Sequence, residues 1–116
     1  MQNIELKEQV IKALEDVKGQ EIVCMDIREL TDIADFMIVA TGNSNRQVKA
    51  LVNNVVEEVK KSGVQPIGVE GQEQAEWVLV DLADVIVHVM LPKVREYYDI
   101  ERLWSMTPSK REEITE

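Results

Sequence analysis

Two valine-rich segments joined by a short turn constrain the fold of this chain more than any other feature. Residues 77–82 and 85–91 are apolar and β-branched, and they flank Asp81-Leu82-Ala83-Asp84, a sequence suited to a tight hairpin. We expect such a hairpin to place Val80 opposite Val85, Leu79 opposite Ile86, Val78 opposite Val87 and Trp77 opposite His88. Alternation then divides the side chains between two faces. The valine face carries Val78, Val80, Val85, Val87 and Val89, and the tryptophan face carries Trp77, Leu79, Ile86, His88 and Met90.

A second valine-rich segment has helical spacing and is the natural cover for the valine face. Its apolar residues recur at intervals of three and four over residues 44–62, and they are Val48, Leu51, Val52, Val55, Val56 and Val59. Asn43 or Ser44 can cap its start, and Gly63 suits its end. The tryptophan face has two readings. It is further core beneath other helices, or it is a protein-binding surface, because Trp and Met are enriched in interfaces.

The remaining sequence predicts one domain of helices and strands. Residues 3–18 have helical spacing, residues 21–27 and 35–40 read as strands, and residues 28–34 connect them. Pro66 limits residues 64–69 to an edge or bulged strand, and Pro92 opens a last helix that runs through Leu103. The fold class is therefore α/β or α+β, with a mixed sheet of about four or five strands flanked by helices. Residues 105–116 form a charged tail that we expect to be mobile.

Composition excludes several kinds of protein. The 116 residues include 22 acidic and 13 basic side chains, for a net charge of -9, which argues against direct binding to nucleic acid and favours a partner with a basic surface. Cys24 is the one cysteine, so no intramolecular disulfide and no cysteine-based metal site is available. The first residues lack the pattern of a signal peptide, and no apolar run approaches the ~20 residues of a membrane span, so we expect a cytoplasmic location.

Candidate reactive residues are few, and each has a structural alternative. His88 is either a general base or a hydrogen-bonded structural residue, and Cys24 reads as a small core residue rather than a nucleophile. The turn of residues 41–44 is either a phosphate site or a helix cap, because it lacks the glycine pattern of a Rossmann fingerprint and the Gly-Lys-Ser/Thr of a P-loop. No Asp-x-Asp pair is present to hold a catalytic Mg²⁺. We therefore expect a binding protein with no cofactor and no metal.

Five segments occur in a characteristic order: residues 35–44 (DFMIVATGNS), 66–71 (PIGVEG), 77–81 (WVLVD), 85–90 (VIVHVM) and 95–104 (REYYDIERLW). Together they resemble the ribosomal silencing factor family (RsfS, related to Iojap) over a domain of residues 1–104. The resemblance implies a nucleotidyltransferase-like scaffold that forms homodimers. It also implies binding to ribosomal protein L14 on the large ribosomal subunit, which blocks joining of the small subunit and represses translation under nutrient limitation. Large-subunit assembly, as in organellar relatives, and a nucleotidyltransferase-like enzyme are the alternatives.

The family motifs carry a set of residues that we expect to form or support the ribosomal contact. The set is Glu70, Gly71, Trp77, Asp81, His88, Met90, Tyr97 and Tyr98. Within this set, the resemblance gives Trp77 the role of supplying buried area, and Glu70 and Asp81 that of meeting basic groups of the ribosomal protein. It assigns Arg95 and Trp104 instead to anchoring the last helix. The sequence departs from the family pattern at Leu82-Ala83, where an aromatic or glycine-containing turn is more usual, and at Met90, where Phe is more usual.

Overall fold

A five-stranded mixed sheet forms the centre of the fold. The computed structural model describes residues 3–105, with side chains for residues 4–102. In chain order the elements are α1 (Asn3–Asp16), β1 (Gln20–Asp26), β2 (Phe36–Thr41), α2 (Asn45–Lys61), β3 (Gly68–Glu70), β4 (Trp77–Asp81), β5 (Val85–Met90), α3 (Pro92–Tyr98) and α4 (Ile100–Ser105). The strand order is β1-β2-β5-β4-β3, with β2 and β5 parallel and the other pairs antiparallel. The predicted fold class is confirmed.

The first two helices, α1 and α2, pack on the valine face and close the larger of two cores. This core contains the five valines of that face together with buried residues of both helices, which are Leu6, Val10, Ala13, Leu14, Val48, Leu51, Val52, Val55 and Val59. The helix α2 starts where the Ser44 hydroxyl accepts a hydrogen bond of 3.1 Å from the Gln47 amide. It stops before Gly63, whose φ of 86° suits glycine. The predicted seat, cap and stop of this helix are confirmed.

The predicted register of the hairpin was wrong by one residue on each strand. Trp77 pairs with Met90, Leu79 with His88 and Val80 with Val87. Leu82 stays in the ladder, because its amide donates to the Val85 carbonyl at 3.0 Å. The turn tightens to Ala83 and Asp84, since Ala83 takes a φ of 72° and its amide donates to the Asp81 carboxylate at 2.9 Å. Both faces survive the correction, because alternation along each strand decides where a side chain points.

Three boundaries differ from the predicted ones for local reasons. The first helix ends two residues early, because Lys18 has a φ of 62°. The last helix breaks into α3 and α4 at Asp99, which lies in the left-handed region with φ 46° and ψ 48°. At the far edge of the sheet, β3 is a short strand that begins after Pro66, as predicted for an edge. The predicted tail lies outside the described residues, apart from Ser105.

Candidate functional site

The tryptophan face is only partly covered. A small core lies on it, formed by the buried residues Ile27, Ala34, Met37, Val39 and Met90. Val94 of α3 and Ile100 of α4 pack against this core. Trp77, Leu79, Ile86 and His88 remain partly exposed. Both readings of this face therefore hold in part, since it is core around Met90 and accessible around Trp77 and Leu79.

Three aromatic side chains extend this face outward, and we call them the aromatic stack: Trp77, Tyr98 and Tyr97. The rings of Trp77 and Tyr98 have centroids 4.9 Å apart. Tyr97 meets Tyr98 edge-on, with centroids 4.9 Å apart and planes at 86°. Tyr98 is 54% exposed and Tyr97 is 81% exposed. The stack is thus a large aromatic surface on short side chains, the kind that anchors protein–protein contacts.

His88 supports the inner end of the aromatic stack. The Trp77 indole N–H donates a hydrogen bond of 2.9 Å to Nδ1 of His88. Accepting this bond requires an unprotonated Nδ1, so the imidazole carries its proton on Nε2. Burial lowers the pKa of the His88 imidazole from 6.5 to about 4, which keeps the ring neutral at physiological pH. The structural reading of His88 is therefore the one that the geometry supports.

Arg95 fixes the helices that carry the two tyrosines. Its guanidinium is buried, donates to the Thr41 hydroxyl at 2.7 Å, and pairs with Glu101 through bonds of 2.6 Å and 3.0 Å. These contacts join the end of β2, α3 and α4 across the bend at Asp99. The expected anchoring role of Arg95 agrees with these bonds. The side chain of Trp104, the other expected anchor, lies outside the described part of the chain.

Acidic side chains and one glycine lie at the β3–β4 side of this face. Register places Glu70 beside Leu79 and Asp81 beside Ile86, on the same side of the sheet as Trp77. The Glu70 side chain is exposed, whereas Asp81 is half-buried and accepts the Ala83 amide. Gly71 has a φ of 88°, and a Cβ there would overlap the Trp77 carbonyl oxygen. Gly71 therefore lets the chain turn closely over the start of β4.

The structure brings most of the nominated residues together, with different roles. Glu70, Trp77, Asp81, Tyr97 and Tyr98 have surface on or beside the tryptophan face. Met90 is fully buried and Gly71 acts through its backbone, so these two support the face from within. Leu79 and Ile86 are partly exposed on the same face but were not nominated, although strand alternation had already placed them there.

The other candidate sites have structural explanations. Ser44 acts as the cap of α2, so the turn of residues 41–44 is accounted for without a phosphate. Cys24 is half-buried in β1, where burial raises the pKa of its thiol. Among the described residues, no group of three or more His, Cys, Asp or Glu side chains is placed to hold a metal ion. None of the helices in that part of the chain is long and apolar enough to cross a membrane.

Comparison with known proteins gives one consistent family. A family model described as ribosomal silencing factor during starvation matches residues 1–116. A protein of Chromobacterium violaceum named ribosomal silencing factor RsfS is 58% identical over 100 residues, which are 86% of this chain and 82% of that protein. A crystal structure from the same organism superposes with a TM-score of 0.90 at 55% identity, covering 93% of this chain and 91% of that one. A more distant mouse relative, named mitochondrial assembly of ribosomal large subunit protein 1, is 27% identical over 100 residues, 84% of this chain and 44% of that protein.

Proposed function

Because the chain belongs to the ribosomal silencing factor family, whose members are ribosome-associated regulators of translation, we propose that it binds the large ribosomal subunit through ribosomal protein L14. Bound there, in the cytoplasm, it blocks joining of the small subunit and represses translation when nutrients are limiting. The observation that carries this proposal is the partly open tryptophan face with its exposed aromatic stack. The family resemblance supplies the identity of the partner.

The tryptophan face has the features of a protein-binding surface. Exposed aromatic rings supply large contact area at a low cost in side-chain entropy, and here the rings are already held against each other. Glu70 and Asp81 at its edge, together with a net charge of -9, favour a basic protein surface and disfavour rRNA phosphates. This combination supports contact with a ribosomal protein in preference to RNA.

A steric block needs no chemistry beyond binding. The smallest principal extent of the fold is 21 Å between Cα positions. Two subunit surfaces that must touch directly cannot close over a rigid body of that thickness. Binding at the face of the large subunit that meets the small subunit is therefore sufficient to prevent joining, and no catalytic group is needed.

The first test measures binding to purified large subunits by co-sedimentation and joining with small subunits by gradient centrifugation. Tyr97→Ala removes the most exposed aromatic ring and is expected to weaken binding about tenfold, or about 1.4 kcal/mol. Ile4→Ala is the matched control, because Ile4 is 52% exposed on α1, a helix that packs on the opposite face. Undiminished subunit joining at saturating wild-type protein contradicts silencing. A Tyr97→Ala variant that binds as tightly as Ile4→Ala places the contact elsewhere.

The charge argument has its own test. Glu70→Lys reverses an exposed charge beside the tryptophan face and is expected to slow association with large subunits, with a smaller difference at high salt. Glu15→Lys changes the net charge equally from an exposed position on α1. Equal association rates for the two variants would show that Glu70 faces no basic group of the partner.

Large-subunit assembly is the second candidate, and the name of the mouse relative favours it. Deletion of the gene separates the two functions in cells. An assembly factor leaves incomplete large subunits behind when it is lost, whereas a silencing factor leaves mature subunits that translate without restraint under starvation. Light scattering on the free protein tests the homodimer that the resemblance implies, because a dimer doubles the 13.3 kDa mass.

A further inference from the structure

We propose that His88 is a positioning residue, which holds the indole of Trp77 in its binding orientation and does not itself contact the partner. The inference deepens the proposed function and rests on it only for the binding measurement below. The observation behind it is the 2.9 Å hydrogen bond from the indole N–H of Trp77 to Nδ1 of His88.

The hydrogen bond fixes the direction in which the indole lies. Met90 is the residue directly opposite Trp77, and His88 is two residues away on β5, opposite Leu79. The bond therefore joins diagonal neighbours on the same face, a separation that aromatic side chains span. To reach Nδ1, the indole lies obliquely across β5 towards the hairpin turn.

Tyr98 holds the indole as well. Its ring centroid is 4.9 Å from that of Trp77, and the His88 ring is 5.9 Å from Trp77. The indole is thus restrained by a directional hydrogen bond and by ring packing. Packing against an exposed tyrosine restricts position weakly, because Tyr98 itself can move, whereas the hydrogen bond sets both distance and angle.

A held side chain binds more tightly because less rotamer freedom is lost on contact. For one large side chain this preorganisation corresponds to about three- to tenfold in affinity. We therefore expect removal of the acceptor to weaken binding by this factor, even though His88 leaves its own ring partly buried beneath the indole.

Two substitutions at His88 separate the hydrogen bond from packing. His88→Leu removes the acceptor and keeps an apolar side chain of similar length. His88→Asn shortens the side chain but places a carbonyl oxygen where Nδ1 stands, so it keeps an acceptor for the indole. Both are made in a Trp104→Phe background, which leaves Trp77 as the one tryptophan of the sequence.

The first readout is the fluorescence anisotropy and acrylamide quenching of Trp77 in the free protein. We expect lower anisotropy and stronger quenching in His88→Leu, and values near those of the parent in His88→Asn. This readout needs no ribosome, so it decides positioning even if the parent protein fails to bind large subunits, a failure that would count against the proposed function alone. Equal values in parent and His88→Leu overturn the inference.

The second readout is affinity for large subunits in a double-mutant cycle. Trp77→Phe keeps an aromatic ring but removes the N–H donor, so His88→Leu should cost about three- to tenfold in the parent and nothing further in Trp77→Phe. His88→Asn should restore most of the loss. Additive effects, or an Asn variant as weak as the Leu variant at equal stability, contradict the positioning role.

Discussion

Gly71→Ala is expected to damage the fold through a contact with Trp77. Gly71 has a φ of 88°, a region that L-residues occupy at a cost of about 1–2 kcal/mol. In addition, its added Cβ would overlap the Trp77 carbonyl oxygen, well inside the 3.0 Å that such atoms require. Relieving that overlap means moving the turn away from β4, and forced repacking of this kind costs about 1–3 kcal/mol. The expected loss in the free energy of unfolding is about 3 kcal/mol.

Gly63→Ala is the matched control. Gly63 has nearly the same φ, 86°, but a Cβ added there meets nothing within 4 Å. It therefore carries the backbone cost alone, partly offset because alanine also restricts the unfolded chain. We expect Gly63→Ala to cost about 1 kcal/mol, so the difference of about 2 kcal/mol between the two variants measures the contact with Trp77.

Urea denaturation followed by far-UV circular dichroism gives both free energies of unfolding in one assay. Equal losses in the two variants would refute the reasoning, because they would show that the turn at Gly71 has room for a side chain. A larger loss at Gly71 should be accompanied by weaker binding to large subunits, since the strained backbone belongs to Trp77 itself.

Two further predictions use the same denaturation assay. Acidification from pH 6.5 to pH 4 should lower stability by up to about 3 kcal/mol through His88, because the unfolded chain binds a proton at its ordinary pKa of 6.5 while the folded ring takes it up only near 4, and His88→Asn should remove that part of the slope; an unchanged slope would contradict the buried neutral ring. Ser44→Ala should cost about 1 kcal/mol by removing the cap of α2, whereas Ser44→Asp should be nearly neutral because aspartate also caps; equal losses would show that the cap contributes nothing.

The sequence predicted the division of the sheet into two faces, because alternation along a strand depends on local geometry alone. It predicted the cap at Ser44 and the seat of α2 for the same reason, since both follow from short-range spacing. Register required knowledge of the turn, and Ala83 has no residue preference that signals its φ of 72°. The break at Asp99 was missed for a similar reason, because neither glycine nor proline marks it.

The details of the candidate site depend on contacts between distant residues. Arg95 meets Thr41 from 54 positions away, and nothing in either local sequence indicates the other. The supporting role of Gly71 appears only when the backbone of β4 is placed beside it. Family motifs nominated the right region, whereas the separation into contacting, positioning and buried residues needed the three-dimensional arrangement.

The position of β5 in the sheet has a consequence for how the protein is made. This strand is the last of the five in the sequence, yet it lies at the centre and pairs in parallel with β2, about fifty residues earlier. Pairing across that separation closes a long loop, which slows folding relative to hairpins. During synthesis the central pair cannot form until residue 90 has emerged, and the helices that carry Tyr97 and Tyr98 follow later still. The surface proposed for the ribosome is therefore completed last, at the end of translation.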